Sequence, residues 1–140
     1  MTEEMSREES EHHSFLTFHH DVLLLSLPAE GASNANANYN TAWELRYEIV
    51  NHPISYLADS TFLGLSIAQL DAIKTFVKMV AAIPDEAISP KGTDTRTVKG
   101  DIASLKHPAW DSIRAHAAEV LKILQPVAIR NKAYFENPRS

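Results

Sequence analysis

Cysteine is absent from the chain. That absence removes a disulfide framework, thiolate metal sites and a cysteine nucleophile together, and it fits a reducing, cytoplasmic compartment. Glycine is scarce, at 4 residues, and most of the 7 prolines fall between periodic segments. An all-β fold needs many glycine-rich turns, so this scarcity favours helices. Long apolar runs are lacking as well. The longest, residues 22–27 interrupted by Ser26, is far short of the ~20 residues that span a bilayer. Ala35-Asn36-Ala37 resembles a signal cleavage site, but Glu3, Glu4, Glu8, Glu9 and Glu11 stand against Arg7 alone. A secretory signal needs the opposite sign there, so neither export nor a membrane is expected.

What is present is ordinary globular material: 140 residues, 44% hydrophobic and 22% charged. That is the size of one domain with a core of its own. The net charge of −5 is uneven. Residues 1–90 are acidic, whereas the last fifty or so are mildly basic. The basic residues there alternate with acids and form no run, so a nucleic-acid interface is not expected.

Periodicity predicts an all-α protein, an antiparallel bundle of about four helices. Residues 1–13 are polar and acidic and are expected to form a flexible arm, with one helical domain over 14–140. In residues 14–27, helical spacing puts Phe15, Phe18, Val22 and Leu25 on one side, although Leu23, Leu25 and Leu27 also alternate as in a strand. Helix is preferred. Residues 28–40 are small and polar and predict a linker. Thr41 with Glu44 and Ser66 with Gln69 are capping boxes that open the second and third helices. The second helix ends near His52 before Pro53, and residues 54–64 predict a short helical connector. The third carries Leu70, Ile73, Val77 and Val80 as a stripe, with Asp71, Lys74 and Lys78 opposite, and stops at Pro84. Residues 85–101 predict a long, solvated polar loop. The last helix begins near Pro108. Trp110, Ile113, Ala117, Val120, Leu124, Val127, Asn131 and Tyr134 follow a 3-4 spacing typical of a bundle seam, with a kink or end expected from Pro126.

Chemistry-bearing residues are few. His12, His13, His19 and His20 form adjacent pairs, and neighbours on a helix point about 100° apart, which is poor for chelation. One of His19 and His20 is expected at the core edge and the other in solvent. Glu44, Glu48 and His52 share a helical face but are expected to face water, with Trp43, Tyr47 and Val50 inward; both tryptophans are expected in the core. No metal site and no cofactor are predicted. Arg46 falls within the apolar arc of its helix. It would either snorkel or bind an anion in a cleft, with Asp21, Asp59, Asp71, Asp111 or Glu119 as its carboxylate. His116 lies at the edge of the last seam. A phosphotransfer histidine would be followed by Lys and Gly, where Glu119 and Val120 stand. Residues 65–71 loosely resemble the opening of a DNA-binding helix but lack the basic residues that would follow. Phosphate loops, nucleophile elbows and zinc-protease motifs are absent.

These features point to a protein–protein binding module, an adaptor, regulatory or inhibitor/immunity-type protein, and lean away from an enzyme. Trp43, Tyr47, Tyr56 and Trp110 are the aromatic residues available for anchoring such contacts. The alternative is an enzyme or small-ligand or metal-binding bundle that uses Arg46, His116 and Asp111. Self-association through the seam of the last helix is a third expectation.

Overall fold

The computed structural model describes residues 6–36, 40–51, 57 and 62–136. Among them are seven helices and no strand: α1 (Arg7–Ser26), α2 (Ala29–Asn36), α3 (Thr41–Asn51), α4 (Ile67–Ala81), α5 (Asp85–Ile88), α6 (Val98–Leu105) and α7 (Ala109–Glu136). The all-α class expected from the sequence is therefore what the chain adopts. His52, Tyr56 and Asp59 lie outside the described residues, as does most of the expected connector.

The seam of α7 organises the fold. Trp110, Ile113, Ala117, Val120, Leu124, Val127 and Asn131 are all buried, packed against α1 and α4. At one end His12 Nδ1 lies 2.6 Å from Asn131 Oδ1, and the His12 ring stacks on Tyr134 at 3.8 Å. At the other, Arg114 Nε donates to the Leu27 carbonyl (3.0 Å). Helix α7 thus runs antiparallel to α1. It also runs antiparallel to α4, because Gln69 reaches the Ile123 carbonyl while His116 stacks on Phe76. Helix α3 packs against both α1 and α4. The seam offered for self-pairing is therefore consumed inside the chain. Its apolar side chains gain their burial from α1 and α4.

Pro126 does not end α7, which continues to Glu136. The proline is exposed, so the carbonyl it deprives of a donor, four residues back, is on the wet side of the helix. The Ser66–Gln69 capping box forms in both directions, at 2.8 and 3.1 Å.

The expectations for three segments are corrected. Residues 7–13 are not part of an arm: they are the first turns of α1, capped by Ser6, whose Oγ accepts the Glu9 N–H. Buried Glu11 accepts from Arg7 and from the Phe62 N–H (both 2.9 Å), so the acid supports the helix instead of repelling it. The 28–40 linker contains α2, whose small Ala29 and Ala32 allow close packing. The 85–101 loop contains α5 and the start of α6, which is capped by Thr97 (Oγ1 to the Gly100 N–H, 3.0 Å).

These short pieces meet at Asp101, which is fully buried. Its carboxylate accepts from Ser33 Oγ, Thr41 N–H and Thr41 Oγ1, each at 2.6 Å. Thr41 is consequently not the cap of α3: its hydroxyl serves Asp101, and no Thr41–Glu44 box forms. Asn40 precedes it in the left-handed region (φ 61°), where asparagine is tolerated, and pairs with Thr95 of the loop.

Candidate functional site

Apolar periodicity in α1 and α7 exceeds what one seam needs, and the surplus lies in an open trough between them. Its floor is Phe15, Ala128 and Asn131, its walls Leu16, Leu23, Leu121, Ile129 and Phe135, and its rim Lys122, Gln125, Lys132 and Glu136. The trough has a volume of about 700 Å³. Leu16 is 48% exposed and Ile129 62%, values unusual for large apolar side chains that share one depression. His19 lines the same trough, and its pKa is held below the ordinary value, first by burial and then by the neighbouring His20 charge. Burial therefore favours the neutral form of this imidazole in the wall. His20 is exposed, so the expected division between core edge and solvent is observed.

Position along the helices explains the trough. Leu16 and Leu23 are seven residues apart on α1, beside the buried Phe15, Phe18 and Val22. On α7, Leu121, Gln125, Ala128, Ile129 and Lys132 recur at three- and four-residue steps beside the seam. The contact length from Leu121 to Glu136 is roughly 22 Å at ~1.5 Å per residue. Among the described residues, Lys122 and Lys132 pair with Glu119 (3.5 Å) and Glu136 (3.9 Å) in exposed contacts, which hold a side chain weakly.

A second recess lies between α3 and α5, with a volume of about 440 Å³ and no lining residue in common with the first. Trp43 and Tyr47 form one wall, stacked at 5.2 Å with 16° between their planes. Arg46, Val50, Asn51, Asp85, Ile88 and Ser89 complete it. Arg46 does line a cleft, and its carboxylate is Asp85 (3.2 Å), none of those expected from the sequence.

The remaining predicted residues lie elsewhere. Asp111 is exposed and pairs with Arg114 at 3.1 Å. His116 is half-buried with its ring on Phe76. Neither lines the Arg46 cleft. Trp110 is in the core, donating its indole N–H to the Ala87 carbonyl (3.0 Å), but Trp43 is not: α3 buries Ala42, Leu45 and Ile49 instead. Glu44 and Glu48 consequently turn partly inward, and Glu48 faces buried Asp21. The described residues hold no group of three His, Asp or Glu side chains arranged for a metal ion, and no helix among them is long and apolar enough to cross a membrane.

Phe15, His19, Leu23 and Asn131 stand out in the sequence for other reasons, but those readings do not mark the trough itself. The signal was the presence of apolar side chains on more of each helix than the buried stripe requires. No family model, curated protein or solved structure matches the chain.

Proposed function

We propose that this chain is a protein-binding module, of adaptor, regulatory or inhibitor/immunity type, that takes an amphipathic helix of another protein into the α1/α7 trough. The observation that carries this reading is the gathering of exposed Leu16, Leu23 and Ile129 along one open channel. Helix-in-groove binding uses such a channel to receive apolar side chains at helical spacing. The rim selects the occupant's charge: two lysines against one glutamate favour acidic residues flanking the apolar stripe. A channel roughly 22 Å long accommodates about 15 residues of helix.

The scaffold we infer beneath the trough is the four-helix antiparallel bundle of α1, α3, α4 and α7. Support comes from the closed ring of contacts α1–α7–α4–α3 and from the two antiparallel courses of α7. The absence of cysteine favours a cytoplasmic setting. An enzyme built on Arg46, His116 and Asp111 would need the three in one pocket, and neither His116 nor Asp111 is among the described residues that line the Arg46 cleft.

Fluorescence anisotropy with two labelled amphipathic peptides of about 15 residues tests the proposal. Both carry leucines at helical spacing; one has glutamates on its flanks and the other lysines. The glutamate peptide is expected to bind the full chain, at least about tenfold tighter than the lysine peptide (about 1.4 kcal/mol). Binding should weaken with salt and be lost in Ile129→Asp. Failure of the glutamate peptide to bind, undiminished binding to Ile129→Asp, or occupation of the trough by a long-chain fatty acid alone would each overturn it.

A further inference from the structure

The α3/α5 cleft combines an open guanidinium with an aromatic wall, and nothing in the trough proposal depends on it. A guanidinium offers five N–H donors. Arg46 commits one, through Nη1, to an Asp85 side chain that is 98% exposed. A pair so exposed contributes ~0–1 kcal/mol and is easily rearranged. No other acceptor among the described residues meets the Arg46 side chain, which remains one-third exposed at the cleft.

Trp43 and Tyr47 are one turn apart on α3, and each leaves more than half its surface in water, at 53% and 55%. Helix α3 turns its smaller Ala42, Leu45 and Ile49 inward while its two largest aromatic side chains stay out. Their parallel stacking presents a flat, pre-formed face beside the guanidinium. Half-buried Val50 and buried Ile88 supply apolar contact, and Ser89 a hydroxyl. The volume lies within the ~300–1,000 Å³ of small-molecule sites.

We propose that this cleft binds a planar aromatic monocarboxylate, with its ring against the Trp43–Tyr47 face and its carboxylate on Arg46. The charge follows from the lining. Among the described residues that line it, Arg46 is the one cation and Asp85 the one anion. One negative charge gains the bidentate guanidinium contact, whereas the several charges of a nucleotide's phosphates would meet Asp85 as well.

Calorimetric titration of the full chain with 2-naphthoate tests this. The neutral 2-naphthamide and the non-aromatic cyclohexanecarboxylate are the controls. 2-Naphthoate should bind, with each control at least about tenfold weaker. Arg46→Met and Trp43→Leu should each lose at least about tenfold in affinity, with melting temperatures in the absence of ligand close to that of the original chain. Ile129→Asp, in the trough, should bind 2-naphthoate normally. The proposal is overturned if 2-naphthoate does not bind at millimolar concentration, if either control matches it, or if Arg46→Met binds equally well. Loss of binding in Ile129→Asp would also overturn it, by placing the ring in the trough.

Discussion

Asp21 of α1 and Glu48 of α3 face each other carboxyl to carboxyl, and among the described residues no donor group reaches Asp21 Oδ2. Two carboxylates in such a place cannot both be ionised without a large cost, which favours a proton retained on the pair. Burial first, then the charge and hydrogen bond of Glu48, push the Asp21 pKa up to about 8.

This makes stability depend on pH in a definite direction. Between the ordinary value of 3.8 and about 8, folded Asp21 keeps a proton that the unfolded chain has lost. Stability is therefore greatest below the lower value and falls as pH rises through the window, by at most ~1.4 kcal/mol per unit. Glu44, raised by burial and by Glu48 and Asp101, acts in the same direction. Urea midpoints should drop between about pH 5 and 8 and flatten in Asp21→Asn, which keeps the donor without the charge. The variant should exceed the original chain by on the order of 2 kcal/mol at pH 8. Parallel pH profiles for the two proteins would show that the pair does not hold the proton.

Asp101 joins α2, α3 and α6 through three hydrogen bonds, so removing its carboxylate orphans three donors at once. Asp101→Ala should lower stability by about 3–5 kcal/mol, because the Thr41 amide and hydroxyl are left buried without acceptors. Asp101→Asn restores one acceptor oxygen but turns an amide N–H₂ towards existing donors, so it should recover little of the loss. Chemical denaturation of both variants measures this; an Asn variant as stable as the original chain would deny the hub its role.

Gly100 tests the packing of the same corner. A Cβ there would lie 1.9 Å from the Asp94 carbonyl oxygen, which also accepts from the Thr97 hydroxyl and N–H. Alanine normally favours a helix by ~1 kcal/mol over glycine. Here Gly100→Ala should instead destabilise by about 2–4 kcal/mol, since the contact is with backbone that cannot step aside. A neutral or positive shift in melting temperature would refute this placement of the 94–101 turn.

What could be read in advance depended on the range of the interactions. The α7 seam and the Ser66 box are local, set by spacing within one helix, and both were legible. Helix α3 offers two apolar arcs, Trp43–Tyr47–Val50 and Ala42–Leu45–Ile49, and hydrophobic weight favours the first. The fold buries the second, because smaller side chains bring α3 closer to α1 and α4. Helix α2 has almost no apolar pattern. Its place depends on Ser33 meeting Asp101, 68 positions away, a pairing that no local rule contains. The trough follows the same logic: apolar residues are visible in sequence, but whether a neighbour covers them is settled only by packing.

The last prediction concerns the lock between the start of α1 and the end of α7. Asn131 takes a seam position where an apolar residue would normally sit, and its Oδ1 accepts from His12 Nδ1 in a buried contact. Asn131→Leu adds apolar surface yet leaves the His12 N–H without its acceptor, so it should cost about 1–3 kcal/mol. His12→Leu alone strands the amide of Asn131 in the same way. Replacing both removes donor and acceptor together, and the double variant should lie within about 1 kcal/mol of the original chain. A double-mutant cycle reads this directly, as a coupling of about 1–3 kcal/mol. Strictly additive losses would mean that the two side chains are stabilised independently, and that the ring stacking of His12 on Tyr134 holds the ends together by itself.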